Sequence, residues 1–135
     1  MTNIELFTIR TRQFVRYFNL IDYNVCIQPA SDDDVDYYAC CMVNEVEEEE
    51  DGRVATIEFS EEQMETLEPW QVEQVAFHEV LELLLLTLRQ HASNDSASLT
   101  QREADREAHA IINTLTNTVF MQALHDAKKI EVWQC

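Results

Sequence analysis

Residues 4–19 place Ile4, Phe7, Phe14, Val15 and Phe18 on one side and Arg10, Arg12 and Arg16 on the other, which predicts an amphipathic helix. Tyr23 to Gln28 alternates apolar and polar positions and stops at Pro29, as a strand does. An acidic loop, Ser31 to Asp36, separates it from Tyr37 to Val46, which is rich in β-formers and predicts a second strand. Glu47 to Gly52 reads as a charged turn closing on Asp51-Gly52, a hairpin signal, and Arg53 to Phe59 returns with Ala55, Ile57 and Phe59 on one face. Near residue 60 the period changes from two to 3.6. Pro69 suits the first turn of a helix running to about His91, and Asn94 to Ser98 is loop-like. Thr100-Gln101-Arg102-Glu103 has the form of a capping box, opening a last helix to about Ala127. A helix, three strands and then two helices predict an α+β domain, with the helices on one face of a small antiparallel or mixed sheet. With one Gly, two Pro and no linker in 135 residues, the span 1–135 reads as a single domain.

At 46% hydrophobic the chain carries enough apolar side chains for a core of its own. Its apolar runs, Leu83-Leu84-Leu85-Leu86 among them, are far short of a membrane span, and no basic-flanked apolar leader opens it. Cys26, Cys40, Cys41 and Cys135 form no CxxC pair, and Cys40 and Cys41 would point to opposite faces of a strand. Reduced thiols in a cytoplasmic protein, with no cysteine-ligated zinc, are the reading this favours. Nine basic against 26 acidic residues give a net charge of −17, and Arg53 is the one base between Asp32 and Leu88. A field of that sign repels nucleic acid and anionic membranes; it suits solubility or attraction to a basic partner.

The helix predicted over 69–91 is apolar nearly all round from Val80 to Leu88, which makes it the central buried helix. His78 and Glu82 stand in it at i, i+4, so both lie on one face and can converge on one metal ion. Glu79 is the next residue round the helix; in zinc hydrolases a Glu beside the first ligand holds and deprotonates the metal-bound water. A third ligand must come from elsewhere, and the following helix offers Glu103, Asp105, Glu107 and His109. Glu103 is accounted for by the capping box. Glu107 lies between the inward positions Ala104, Ala108 and Ile111 and is the preferred third ligand, with His109 second. The stripe Gln71, Gln74, His78, Glu82 and Arg89 is equally what a solvent-facing helix edge presents.

The segment Val75-Ala76-Phe77-His78-Glu79-Val80-Leu81-Glu82-Leu83-Leu84-Leu85, followed by Arg106-Glu107-Ala108-His109-Ala110-Ile111-Ile112-Asn113-Thr114-Leu115, resembles the small zincin-like metallopeptidases of bacteriophage and prophage genomes. Leu20-Ile21-Asp22-Tyr23-Asn24-Val25 resembles the first strand after that family's opening helix, and Arg53-Val54-Ala55-Thr56-Ile57-Glu58-Phe59 the strand before its motif helix. The resemblance implies a zincin-like fold, a bound zinc, His78 as ligand, Glu79 as catalytic base and Glu107 as the downstream ligand. The family motif is HExxH; here Glu82 replaces the second His. Two neutral His and one carboxylate leave a zinc site at +1, whereas one His and two carboxylates leave it neutral. A neutral site acidifies bound water less, and its oxygen-rich ligation shifts preference toward manganese.

Two functions follow as expectations. The first is a zinc peptidase-like hydrolase with an HExxE site and altered or lost activity, acting on a peptide or protein, with strand 53–59 pairing with the substrate. The second is a non-catalytic inhibitor or DNA-mimic-like protein. It would bind a basic host protein in the host cytoplasm through the acids Asp32 to Asp36 and Glu45 to Asp51.

Overall fold

Helix α1 (Asn3–Tyr17) opens on Thr2, whose hydroxyl accepts the Glu5 N–H (3.1 Å) while the Glu5 carboxylate accepts the Thr2 N–H (3.0 Å). This is the full reciprocal capping box. The helix closes before residue 19 because Asn19 takes a left-handed conformation (φ 56°). The Asn19 and Leu20 N–H groups then reach back to the Arg16 and Val15 carbonyls, both at 3.0 Å. That Schellman closure turns Leu20 into the core. The computed structural model describes residues 1–20, 22–31, 35–44, 53–95 and 100–132.

The strands are β1 (Tyr23–Pro29), β2 (Ala39–Asn44) and β3 (Arg53–Phe59). They form one sheet in the order β1-β3-β2, with β1 parallel and β2 antiparallel to β3. The sheet is therefore mixed and the fold is α+β. β2 starts at Ala39 rather than Tyr37, and the predicted hairpin tip, Glu47 to Gly52, lies outside the described residues. Ala55, Ile57 and Phe59 are buried as their alternation predicts, flanked by Tyr23, Val25 and Ile27 on one side and Ala39, Cys41 and Val43 on the other. Cys40 and Cys41 do point to opposite faces, and among the described residues Cys26, Cys40 and Cys41 form no disulfide.

A short helix not foreseen in the sequence, α2 (Glu61–Glu65), follows β3, with Ser60 Oγ accepting the Gln63 N–H. Helix α3 (Pro69–Asp95) begins at the predicted proline and runs past His91. Val72, Ala76, Phe77, Val80, Leu81 and Leu83 are buried, so α3 is the central helix as predicted. That burial ends at Leu83: Leu84 and Leu88 are exposed. The helix predicted over 100–127 appears as α4 (Gln101–Thr118) and α5 (Phe120–Ala127), bent at Val119 (φ −117°, ψ −5°). Thr114, Thr116 and Thr118 each donate a hydroxyl to the carbonyl four residues back, which weakens the helical ladder just before the bend. The bend turns Phe120 inward onto Phe77, with ring centroids 5.2 Å apart, and Phe14 packs on Phe77 at the same spacing.

One hydrophobic cluster joins α1, the sheet, α3, α4 and α5. Beside it lies a nearly buried ion pair, Arg10 Nε to Glu73 at 2.6 Å, with Lys128 Nζ 3.6 Å from the same carboxylate oxygen. Removing one partner of such a pair leaves a charge stranded. Arg10→Ala should lower unfolding free energy by about 3 kcal/mol, and the double variant Arg10→Met/Glu73→Met should recover most of it. Denaturant midpoints check both; a loss below about 0.5 kcal/mol would show the pair is solvated. Among the described residues, no helix is long and apolar enough to cross a membrane.

Candidate metal centre

α4 packs along α3, and the contact brings His78 and Glu82 of α3 against His109 of α4. One donor atom from each of the three lies within 4.8 Å of the others. Glu82 Oε1 stands between the rings, 2.8 Å from His109 Nε2 and 3.5 Å from His78 Nε2. Donors held about 2.0–2.1 Å from a tetrahedral ion are about 3.3 Å apart, so a small opening of this group gives metal-binding spacing. The far side of the His109 ring is already held: Nδ1–H donates to the Asp105 carbonyl (2.8 Å), so Nε2 is the ring atom turned toward Glu82. An outer hydrogen bond of that kind fixes tautomer and ring orientation in metal-ligating histidines.

His78 and Glu82 share the face that their i, i+4 spacing predicts. The preferred third residue, Glu107, does not join them; it is exposed on α4. The inward stripe of α4 is Ala104, Ala108 and Ile112, not Ala104, Ala108 and Ile111, and Ile111 is itself exposed. That phase turns Glu107 out and puts His109 on the shoulder facing α3. Glu103 also stands outside the group; its N–H is capped by the Thr100 hydroxyl at 3.2 Å. The three grouped side chains are thus two imidazoles and one carboxylate. Two His and one carboxylate are a donor set that holds zinc in hydrolases.

Glu79 is buried, and burial pushes its carboxyl from 4.5 up to about 7, with His78 pulling it down and Glu82 adding to the rise. His78 is also raised, mainly by its hydrogen bond to Glu82, which outweighs burial. Cys40 on β2 is raised first by burial and then by Glu79, Glu58 and Glu82, so β2 runs beside these acids. In an unfolded chain Glu79 loses its proton near its ordinary value, while the folded protein keeps it to about pH 7. The metal-free protein should therefore lose stability as pH rises between those two values, by up to about 3 kcal/mol at ~1.36 kcal/mol per unit. Glu79→Gln should remove that part of the dependence. Equal slopes for native and variant protein in denaturation between about pH 4.5 and 7.5 would refute it.

A groove of about 440 Å³ starts at His78 and Glu79. Gln71, Gln74 and Val75 of α3 form one wall, Asn113 and Thr116 of α4 continue the His109 side, and Tyr37, Tyr38 and Ala39 close it at the start of β2. Of the stripe, Gln71, Gln74 and His78 are therefore neither core nor open surface but a groove wall. β3 cannot offer a free edge, because β1 and β2 pair with both its sides; β2 is the edge strand at the groove. Asn113 and Thr116 were findable only by their i+4 and i+7 spacing from His109.

No family model, curated protein or solved structure matches this chain.

Proposed function

We propose that this chain is a metal-dependent hydrolase of peptide bonds, with His78, Glu82 and His109 as zinc ligands and Glu79 as general base. The observation that carries this reading is the grouping of two imidazoles and one carboxylate beside a buried glutamate at the end of a groove. The resemblance to phage zincin-like metallopeptidases supports the same reading. Two His and one carboxylate suit zinc and leave the site at +1, so the argument for manganese weakens.

Zinc held there would polarise the scissile carbonyl and acidify attacking water. Glu79 takes the proton from that water and delivers it to the departing amine, the role a carboxyl with a value near neutrality performs best. The Asp105 carbonyl takes the His109 Nδ1–H, so Nε2 is the atom that would face the metal. β2, the outer strand at the groove, would offer backbone groups to an extended peptide lying there, while Tyr37 and Tyr38 flank it.

The test is direct. The purified chain, loaded with zinc, is incubated with a mixed-sequence peptide library and cleavage is read by mass spectrometry. Cleavage that a chelator abolishes and zinc restores supports the proposal; zinc-loaded protein that cleaves no peptide refutes it. The alternative, capture of a basic host protein by Asp32 to Asp36 and Glu45 to Asp51, draws on segments that lie largely outside the described residues.

A further inference from the structure

The groove that begins at His78 and Glu79 runs back along α3 to Gln71 and on to Leu67. From His78 to Gln71 is about 10 Å of helix, at about 1.5 Å of rise per residue. An extended peptide advances about 3.3 Å per residue, so this length takes about three of them. The groove is shaped for a stretch of chain rather than for one side chain.

Past His78 and Glu79 its lining carries no charge. Several of the polar groups there are already engaged. Gln71 Oε1 accepts the Glu68 N–H (2.9 Å), the Thr116 hydroxyl donates to the Ile112 carbonyl (2.8 Å), and the Tyr37 hydroxyl donates to Glu58 (3.4 Å). Two amides are not engaged. Among the described residues, the side chains of Gln74 and Asn113 hydrogen-bond to no other group. Gln74 lies one turn before His78 on α3, and Asn113 one turn after His109 on α4. Each therefore shares a helix face with one histidine of the cluster, about 6 Å along the helix from it. They enter one groove from its α3 side and its α4 side.

An extended chain turns its N–H and C=O groups alternately to its two edges. In this groove one edge meets β2 and the other meets the two helices. A helix has no main-chain ladder to offer, so the groups on that edge need side-chain partners. A primary amide carries both a donor and an acceptor, the match for a peptide unit.

We propose that the groove binds about three residues of an extended peptide by its main chain, with Gln74 and Asn113 bonded to peptide groups about two residues from the bond that is cut. The inference rests on the hydrolase reading for the kind of ligand. It adds the ligand's length, its conformation and the side of the metal centre on which it is held. Recognition by amides in an uncharged groove selects for an unfolded segment rather than for a charged side chain.

The experiment titrates the full chain, kept free of zinc so that no peptide is cut, with N-acetylated, C-amidated peptides of one to six alanines. Side-chain amide resonances of Gln74 and Asn113 report binding by NMR. Affinity should rise at least about tenfold from one residue to three and less than about twofold from four to six. Replacing one peptide N–H of the trialanine by an ester oxygen removes a single donor. At the position that faces these amides this should cost about threefold to tenfold in the native chain, and nothing further in the double variant Gln74→Leu/Asn113→Leu. Gln74 is half-buried and Asn113 exposed, so the double variant keeps the core intact. Affinity no higher for three residues than for one would overturn the proposal, as would an ester cost undiminished in the double variant. Peptide binding of the expected kind without cleavage by the zinc-loaded chain would sustain this inference and sink the hydrolase reading. Cleavage at the native rate and KM by the double variant would do the reverse.

Discussion

His109→Ala should weaken zinc binding at least about a hundredfold, while Glu107→Ala should leave it unchanged. Zinc held by protein side chains is worth about 10–16 kcal/mol in small structural sites, so one ligand of a few carries about 3–4 kcal/mol. The contrast between the two variants matters more than either alone. They are two residues apart on α4, carry plausible donors, and differ in which way the helix turns them: His109 Nε2 lies 2.8 Å from Glu82, whereas Glu107 is exposed. Competition against a chromophoric chelator gives both affinities. Loss of zinc in Glu107→Ala with retention in His109→Ala would reverse the ligand assignment.

Glu79→Gln should lower peptide hydrolysis by about a thousandfold with zinc still bound. Glutamine has the size of glutamate and keeps a carbonyl in the groove, but it cannot take a proton from water. The metal should stay because Glu79 is not among the three grouped donors. The native profile should rise with pH as Glu79 ionises, since the deprotonated form is the base. A variant that keeps more than about a tenth of native activity would remove Glu79 from the chemistry. Loss of zinc along with activity would instead make it a ligand.

Much of this was legible in the sequence. The alternation of Ala55, Ile57 and Phe59 located β3 to the residue, and Pro69 located the start of α3, because both signals are local. His78 and Glu82 were legible as a pair because helical spacing alone puts them on one face. What was not legible depends on a partner. Whether Ile111 or Ile112 faces inward is set by how α4 lies on α3, and that single step decides between Glu107 and His109. The bend at Val119 likewise needs Phe77 and Phe14 as its destination, and neither is a neighbour in sequence. Tyr37, Tyr38 and Asn113 carry no motif at all; they matter because two helices and an edge strand meet there.

Taken as ligands with His78 kept in place, Glu82 and His109 are one of two ways of placing one imidazole and one carboxylate across α3 and α4 at positions 82 and 109. With the three donors as ligands, the two arrangements are connected by two substitutions, Glu82→His and His109→Glu. The path between them passes through either three imidazoles or one imidazole with two carboxylates. Those intermediates differ from both ends by one unit of charge in opposite directions, so each step alters the metal's acidity and the second step undoes it. The fitness of a residue at 82 is then conditional on the residue at 109, a pairwise epistasis that no single-position comparison detects.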